Sequence, residues 1–271
     1  MNVVIIGAAG RMGQALVRAA CEFPEVRITG AVASTGSASL GRDAGELAGS
    51  GRLDVAMTDD LAAALAHADV VIDFSQPHAT RSNLAVCRAA RKPLLIGTTG
   101  FATELTPLFD AAATEIPLLV AANTSVGVTL LIELTRMAAQ ALPVEFDIEI
   151  VEAHHRLKKD APSGTALALG RAAAAGRGLA ESEVVKAAAA STSRNGERRR
   201  GDIGFAVMRG GDIVGDHTVL FAGGGEQVTL GHRASDRAIF ARGALQAALW
   251  LDSRAPGRYF MRDFLGLKTV T

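Results

Sequence analysis

The first twenty residues constrain the fold more than any other part of the chain. Asn2-Val3-Val4-Ile5-Ile6 is a short continuous apolar run, the pattern of a strand buried on both faces of a parallel sheet. Gly7-Ala8-Ala9-Gly10-Arg11-Met12-Gly13 follows at once, and residues 14–20 have helical periodicity. A GxxGxxG turn between a buried strand and a helix is the context that a dinucleotide-binding fingerprint requires. Gly7 permits the tight turn, Gly10 lets a pyrophosphate approach the backbone, and Gly13 brings helix close to strand. The alternative is a glycine-rich turn with no ligand.

The end of the second strand, residues 26–33, decides how the adenosine ribose is read. An NAD-preferring site usually places Asp or Glu about 20 residues past the glycines to bind the 2′-hydroxyl. Here that place holds Ala33-Ser34-Thr35. The missing carboxylate removes the repulsion a 2′-phosphate would meet, and the Ser34 and Thr35 hydroxyls could hydrogen-bond it. NADPH is therefore allowed beside NADH, with Arg11 as a substitute cation.

The α/β rhythm then repeats: a helical segment over 61–68, a buried strand over 68–74 ending in Ser75-Gln76-Pro77, and a helix opened by His78 and Thr80. His78 reads as a solvated first-turn residue. Strands over 92–96 and 116–120 end in polar turns, Gly97-Thr98-Thr99 and Ala121-Ala122-Asn123-Thr124. Ligands of open α/β sheets bind outside the carboxyl ends of the strands, so these turns are expected to converge on Gly7, Ala8, Ala9, Gly10, Arg11 and Met12.

After a long helix broken by Pro143 the pattern changes. Val144, Phe146, Ile148 and Ile150 alternate with Glu145, Asp147 and Glu149, the period-2 signature of a strand with one wet face. This predicts a second domain on a mixed or antiparallel sheet. Further strands are expected over 204–209, 212–221 and 227–232, joined as hairpins by Gly210-Gly211 and Gly223-Gly224-Gly225. His217 and His232 then serve either sheet packing or a substrate cleft. Such a meander has an uncovered face, which predicts an oligomer. An amphipathic helix over 238–251 and an aromatic tail over 259–267 return to the first domain.

The chemistry concentrates at the end of the second domain's first strand, in Glu152-Ala153-His154-His155-Arg156-Leu157-Lys158-Lys159-Asp160-Ala161-Pro162-Ser163-Gly164-Thr165-Ala166. Two imidazoles and three cationic side chains precede a helix whose N-cap is expected at Ser163, with the Gly164 and Thr165 amides facing an anion. Proton donors beside an anion cradle indicate a carboxylate substrate that is protonated as it reacts. Only five lysines stand among 28 basic residues, and two of them are here. Lysine can release a proton and arginine cannot, so a chain that favours Arg has kept Lys where a proton transfer needs it.

Composition excludes several partners. Lys+Arg 28 balances Asp+Glu 28, so no global field favours nucleic acid or an acidic membrane. The Arg198-Arg199-Arg200 run reads as a solvated loop within 191–200. No apolar run reaches the roughly 18 residues of a membrane span, and Met1 leads into a strand rather than a charged leader. Cys21 and Cys87 sit in apolar helical contexts without metal or redox spacing. A cytoplasmic protein with no metal fits.

Taken together, Gly7 to Gly13, Ile96-Gly97-Thr98-Thr99-Gly100-Phe101, Ala122-Asn123, Glu152 to Arg156, Lys158 with Asp160 to Ala166, and Asp212 to Thr218 resemble the 4-hydroxy-tetrahydrodipicolinate reductase (dihydrodipicolinate reductase) family. The resemblance covers nearly the whole chain, and the His-His-Arg-x-Lys-x-Asp-Ala-Pro-Ser-Gly-Thr stretch is its most specific part. It implies hydride transfer from NADH or NADPH to a cyclic imine dicarboxylate in lysine biosynthesis. It further implies His154 and Lys158 as the proton-handling pair, His155, Gly164 and Thr165 as carboxylate ligands, and a homotetramer. Where members carry an acidic or basic residue at the second strand's end, this chain has Ala33 and Ser34. The expected architecture is α/β: a Rossmann-type doubly wound parallel sheet over 1–125 and an α+β substrate-binding and tetramerisation domain with a mixed open sheet over 126–235. Residues 236–271 return to the dinucleotide-binding half. The rival readings are another Rossmann dehydrogenase of a small carboxylate and a nucleotide-sensing regulatory protein.

Overall fold

The computed structural model describes residues 1–101, 103–182, 184, 197–198 and 200–267. Most of the loop read over 191–200, including Arg199, lies outside the described residues, as do Lys186 and Lys268. The chain divides into two units, Met1–Val126 with Ala238–Thr271, and Gly127–Arg237.

The first unit is a seven-stranded parallel sheet built from β1 (Asn2–Ile6), β2 (Arg27–Val32), β3 (Met57–Thr58), β4 (Val70–Asp73), β5 (Leu94–Ile96), β6 (Pro117–Val120) and, from the tail, β11 (Gly257–Tyr259). The strand order is β11-β6-β5-β4-β1-β2-β3, and every pairing is parallel. The apolar run of β1 has its predicted cause. Val3 and Ile5 face one core cluster, Val4 and Ile6 the other, and all four are buried. Helices α1 (Arg11–Ala20) and α8 (Ala238–Asp252) pack together against one face. Helices α4 (Thr80–Ala89) and α5 (Thr106–Ala113) contribute to the cluster on the other. The aromatic tail does more than pack: it adds β11 beside β6, with Trp250 edge-on to Tyr259 and Phe264. Helix α1 starts at Arg11, three residues before the expected periodic run, because Gly10 is its N-cap. Cys21 is the exposed C-cap of that helix rather than an apolar helical residue, whereas Cys87 is buried.

The second unit is a four-stranded mixed sheet of β7 (Asp147–His154), β8 (Ile203–Arg209), β9 (Gly215–Ala222) and β10 (Gln227–Ala234), in the order β10-β9-β7-β8. In β7 the even positions Ile148, Ile150, Glu152 and His154 are buried, as the alternation requires. Ile148 and Ile150 pack with Phe205, Val219, Phe221 and residues of α7 (Gly164–Gly176) such as Leu169 and Ala173. The Gly223-Gly224-Gly225 connection is the expected hairpin, because β9 and β10 pair antiparallel from Ala222 and Gln227. The Gly210-Gly211 connection is not. β8 pairs parallel with β7, β9 pairs antiparallel on β7's other edge, and residues 210–214 cross the end of β7 between them. Gly210 N–H donates to His154 O and Arg156 N–H to Gly211 O, which fixes that crossing. A buried central strand with two open edges accepts both neighbours, and a local hairpin signal cannot report this. Arg198 is also not a solvated loop residue: its guanidinium pairs with Asp147 and Glu149 of β7.

Candidate active site

In the first unit, a cleft of about 640 Å³ opens at the carboxyl ends of β4, β5 and β6 and the start of α1. Its lining includes Gly10, Arg11, Met12, Gly97, Thr98, Thr99, Ala121, Ala122, Asn123 and Thr124. Four of the expected cofactor residues stand outside the lining: Gly7, Ala8, Ala9 and Ser34. Gly7 and Ala8 shape the turn behind it. Gly7 has φ +79°, and a Cβ there would sit 2.5 Å from Phe74 O. A Cβ at Gly13 would overlap Gly7 O, so helix and strand meet at a distance only glycine allows. Ala8 is buried with its N–H on Val32 O, and Ser34 is exposed beyond the end of β2. The cap at Gly10 supplies no side chain, so the first-turn amides of α1 face the cleft without a capping oxygen. That is the arrangement a pyrophosphate needs, and the residues present fit a dinucleotide.

Sequence reading missed Phe74, Ser75, Gln76, Pro77 and Phe240 of this lining. It also missed what holds the loops. Asp73 is fully buried at the end of β4. Its Oδ1 accepts from Ser75 N at 2.8 Å and its Oδ2 from Asn83 Nδ2 at 3.0 Å, while its carbonyl accepts from Gly97 N at 2.9 Å. Thr98 Oγ1 also donates to Oδ1 at 3.3 Å, so Asp73 ties the loop after β4 to the loop after β5 through both its carboxylate and its carbonyl. The available signal was an acidic residue closing an otherwise apolar strand.

In the second unit, β7 delivers Glu152 and His154 to the same face, one pleat apart. Glu152 is 1% exposed and accepts four bonds. Arg209 Nη1 and Nη2 donate to its two oxygens at 2.8 and 2.9 Å, Ser163 N donates at 3.0 Å, and His154 Nδ1 lies 2.5 Å from Oε2. Burial pushes the Glu152 carboxyl up, but Arg209, His154 and the Ser163 amide more than offset it and hold it below the ordinary value. His154 moves down, chiefly through burial, with Glu152 opposing and Lys158 and Arg209 assisting. It is therefore a neutral imidazole at neutral pH. The neighbouring His217 is 4% exposed, edge-on to His154 with ring centroids 5.1 Å apart. It is pushed down to about 4 by burial and by His154.

The remaining predicted residues lie in the segment after β7 and at the start of α7. Ser163 is the N-cap of α7, with its Oγ accepting from Ala166 N at 3.2 Å and lying 3.1 Å from His217 Nε2. Gly164 is exposed with open space beside it, and Thr165 follows in the first helical turn. Lys158 Nζ meets Asp160 Oδ2 at 2.8 Å. His155 Nε2 lies 3.1 Å from Arg237 Nη2, a cation that sequence reading did not single out. The unit thus brings together a neutral histidine, a lysine and a polar helix start. Chemically it can move a proton while holding an anion.

Comparison with known proteins gives this arrangement a family. Residues 1–124 match the model for the N-terminal part of dihydrodipicolinate reductase, and residues 127–265 match that for its C-terminal part. The 4-hydroxy-tetrahydrodipicolinate reductase of Alkalilimnicola ehrlichii is 53% identical over 268 residues, covering 98% of this chain and 99% of that one. The protein of the same name from Ruegeria pomeroyi is 52% identical, covering 98% of each. Among solved structures, dipicolinate-bound dihydrodipicolinate reductase from Paenisporosarcina sp. TG-14 superimposes with a TM-score of 0.76 at 22% identity, covering 96% of this chain and 97% of that one. An amine dehydrogenase from Mycobacterium smegmatis shares the fold alone, with a TM-score of 0.60 at 16% identity, covering 95% and 93%. With both halves matched and half of its residues shared with such relatives, the chain belongs to the dihydrodipicolinate reductase family.

Proposed function

We propose that the chain reduces 4-hydroxy-tetrahydrodipicolinate to tetrahydrodipicolinate, with NADH or NADPH as reductant and water as the second product, in the diaminopimelate route to lysine. The observation that carries this reading is the family match over both units, joined to a buried Glu152–His154 pair that ends the strand leading to Lys158. A bound dihydronicotinamide supplies the hydride. The turns Gly7-Ala8-Ala9-Gly10-Arg11-Met12, Gly97-Thr98-Thr99 and Ala121-Ala122-Asn123-Thr124 hold that cofactor, with Ser34 beside its ribose.

The substrate leaves its 4-hydroxyl as water and becomes a conjugated imine. Hydride at C4 then sends an electron pair towards the ring nitrogen, and one proton must be taken up for the charge to balance. Lys158 donates that proton and His154 handles it in concert, a contribution of about 10²–10⁴ in rate for a well-placed acid or base. His155, Gly164 and Thr165 hold the carboxylates, where fixed donors lower the energy of the developing charge. The protein acts in the cytoplasm as a homotetramer assembled through the open face of the four-stranded sheet.

The test is turnover of the purified protein, followed by nicotinamide absorbance with each cofactor and by identification of the product. Stoichiometric tetrahydrodipicolinate is the expected result. Turnover confined to other carboxylates favours a different dehydrogenase, and cofactor binding without turnover favours a nucleotide sensor.

A further inference from the structure

The Glu152 carboxylate has no part in the roles above, yet the molecule surrounds it with more donors than any other carboxylate near the site. We infer that Glu152, clamped by Arg209, is a positioning residue that fixes His154 as the Nδ1–H tautomer and leaves Nε2 as the atom that exchanges the proton. The inference rests on the proposed role of His154.

The geometry carries it. A carboxylate can only accept, and His154 Nδ1 lies 2.5 Å from Glu152 Oε2, so the hydrogen is on Nδ1. His154 Nε2 makes no hydrogen bond among the described residues. A Cβ at position 215 would come within 3.1 Å of that nitrogen, so the glycine that starts β9 keeps its approach open. Glu152 cannot rotate away, because its oxygens are shared with Ser163 N and both terminal nitrogens of Arg209. Arg209 is itself anchored on Asp160 O at 2.6 Å. The charged and titratable groups facing His154 from the surrounding elements are Lys158 from the loop after β7, Arg209 from β8 and His217 from β9. Two are cations and one is an imidazole kept neutral, so Glu152 alone supports positive charge on His154.

A glutamine at position 152 has one acceptor where glutamate has two. With its oxygen towards Ser163 N, the amide nitrogen faces His154 Nδ1 and one Arg209 donor is opposed. With its oxygen towards His154, the amide nitrogen opposes both Ser163 N and Arg209 Nη2. The first arrangement is the less costly, and it forces the His154 proton onto Nε2.

The experiment is nitrogen NMR of histidine-labelled protein, with His154 assigned by its loss in His154→Asn. In the unsubstituted protein above neutral pH, His154 is expected to carry its proton on Nδ1. In Glu152→Gln it is expected to carry it on Nε2, with kcat lowered on the order of 100-fold, unchanged cofactor affinity and partial recovery in Glu152→Asp. A proton on Nε2 in the unsubstituted protein overturns the inference, as does a folded Glu152→Gln variant that keeps Nδ1–H or retains kcat within about threefold. Should Glu152→Gln fail to fold, the tautomer of the unsubstituted protein decides. Absence of turnover in the unsubstituted protein would defeat the proposed function, while the tautomer is read without substrate.

Discussion

Arg209→Met tests the buried network through stability. Methionine keeps an unbranched apolar stem and removes the charged guanidinium, leaving Glu152 at 1% exposure without the two bonds of 2.8 and 2.9 Å that neutralise it. Breaking one side of a buried pair costs about 3–5 kcal/mol. The Arg209 side chain is 19% exposed, so the lower end, about 3 kcal/mol, is the expectation. In a unit of this size each kcal/mol moves Tm by roughly 4–8 °C, which gives a fall of roughly 12–24 °C. Trp250, the only tryptophan, is in the other unit, so calorimetry or amide exchange of β7 and β8 is the suitable assay. The pH dependence carries a sign. In the unsubstituted protein the Glu152 pKa is lowered, so its contribution is present above pH 4.5 and lost as pH falls through the folded value. In the variant, burial dominates and the pKa rises, so stability falls as pH climbs from about 4.5 towards neutrality. The gap between the two proteins therefore widens with pH. A gap below about 1 kcal/mol at neutral pH, or one that does not change with pH, refutes the reasoning.

Three further outcomes are expected. Gly7→Ala meets both a φ of +79° and a contact of 2.5 Å with Phe74 O, so calorimetric titration should show cofactor affinity reduced roughly tenfold or more. His217 is 4% exposed with its pKa pushed down from 6.5 to about 4, so the folded protein binds fewer protons than the unfolded chain in that window. Stability should drop by up to about 3 kcal/mol as pH falls from about 6.5 to 4, and His217→Gln, which keeps a partner for Ser163, should flatten that slope in denaturant titrations. Ser34→Asp places a carboxylate at the end of β2 and should raise KM for NADPH about tenfold more than for NADH.

What the sequence could reveal followed the range of each signal. β1, the glycine turn and α1 were legible because burial on both faces, a tight turn and helical periodicity are all local. The alternation of Ile148 and Ile150 located β7, and Ser163 followed by an Ala/Leu-rich run located α7 and its cap. The β8–β9 connection was misread because two glycines between apolar runs look the same whether the strands pair or cross over a third. Pairing with β7 is decided 50 or more residues away in the chain, at Ile148 against Ile203. β11 escaped for a related reason: three residues with no apolar run become a strand only because β6 presents an open edge. At the candidate site, residue types and spacing marked His154, His155, Lys158 and the helix start. Of the partners that set their chemistry, Arg209 on β8 is a long-range neighbour with no local pattern to announce it, while His217 on β9 and Asp73 beneath the cofactor loops carried local signals that did not say which groups they would meet.

The most direct test of the central claim is kcat for reduction of 4-hydroxy-tetrahydrodipicolinate by the unsubstituted protein and by Lys158→Ala, with cofactor affinity measured on both. Lys158 makes its ion pair with Asp160 at the surface end of the loop, so its loss should leave the fold and the cofactor cleft intact. The expected result is turnover by the unsubstituted protein and a fall in kcat of about 100-fold or more in the variant, with cofactor affinity unchanged. An unimpaired variant would contradict the assignment of the proton donor, and a protein that binds cofactor but leaves this substrate unreduced would contradict the account as a whole.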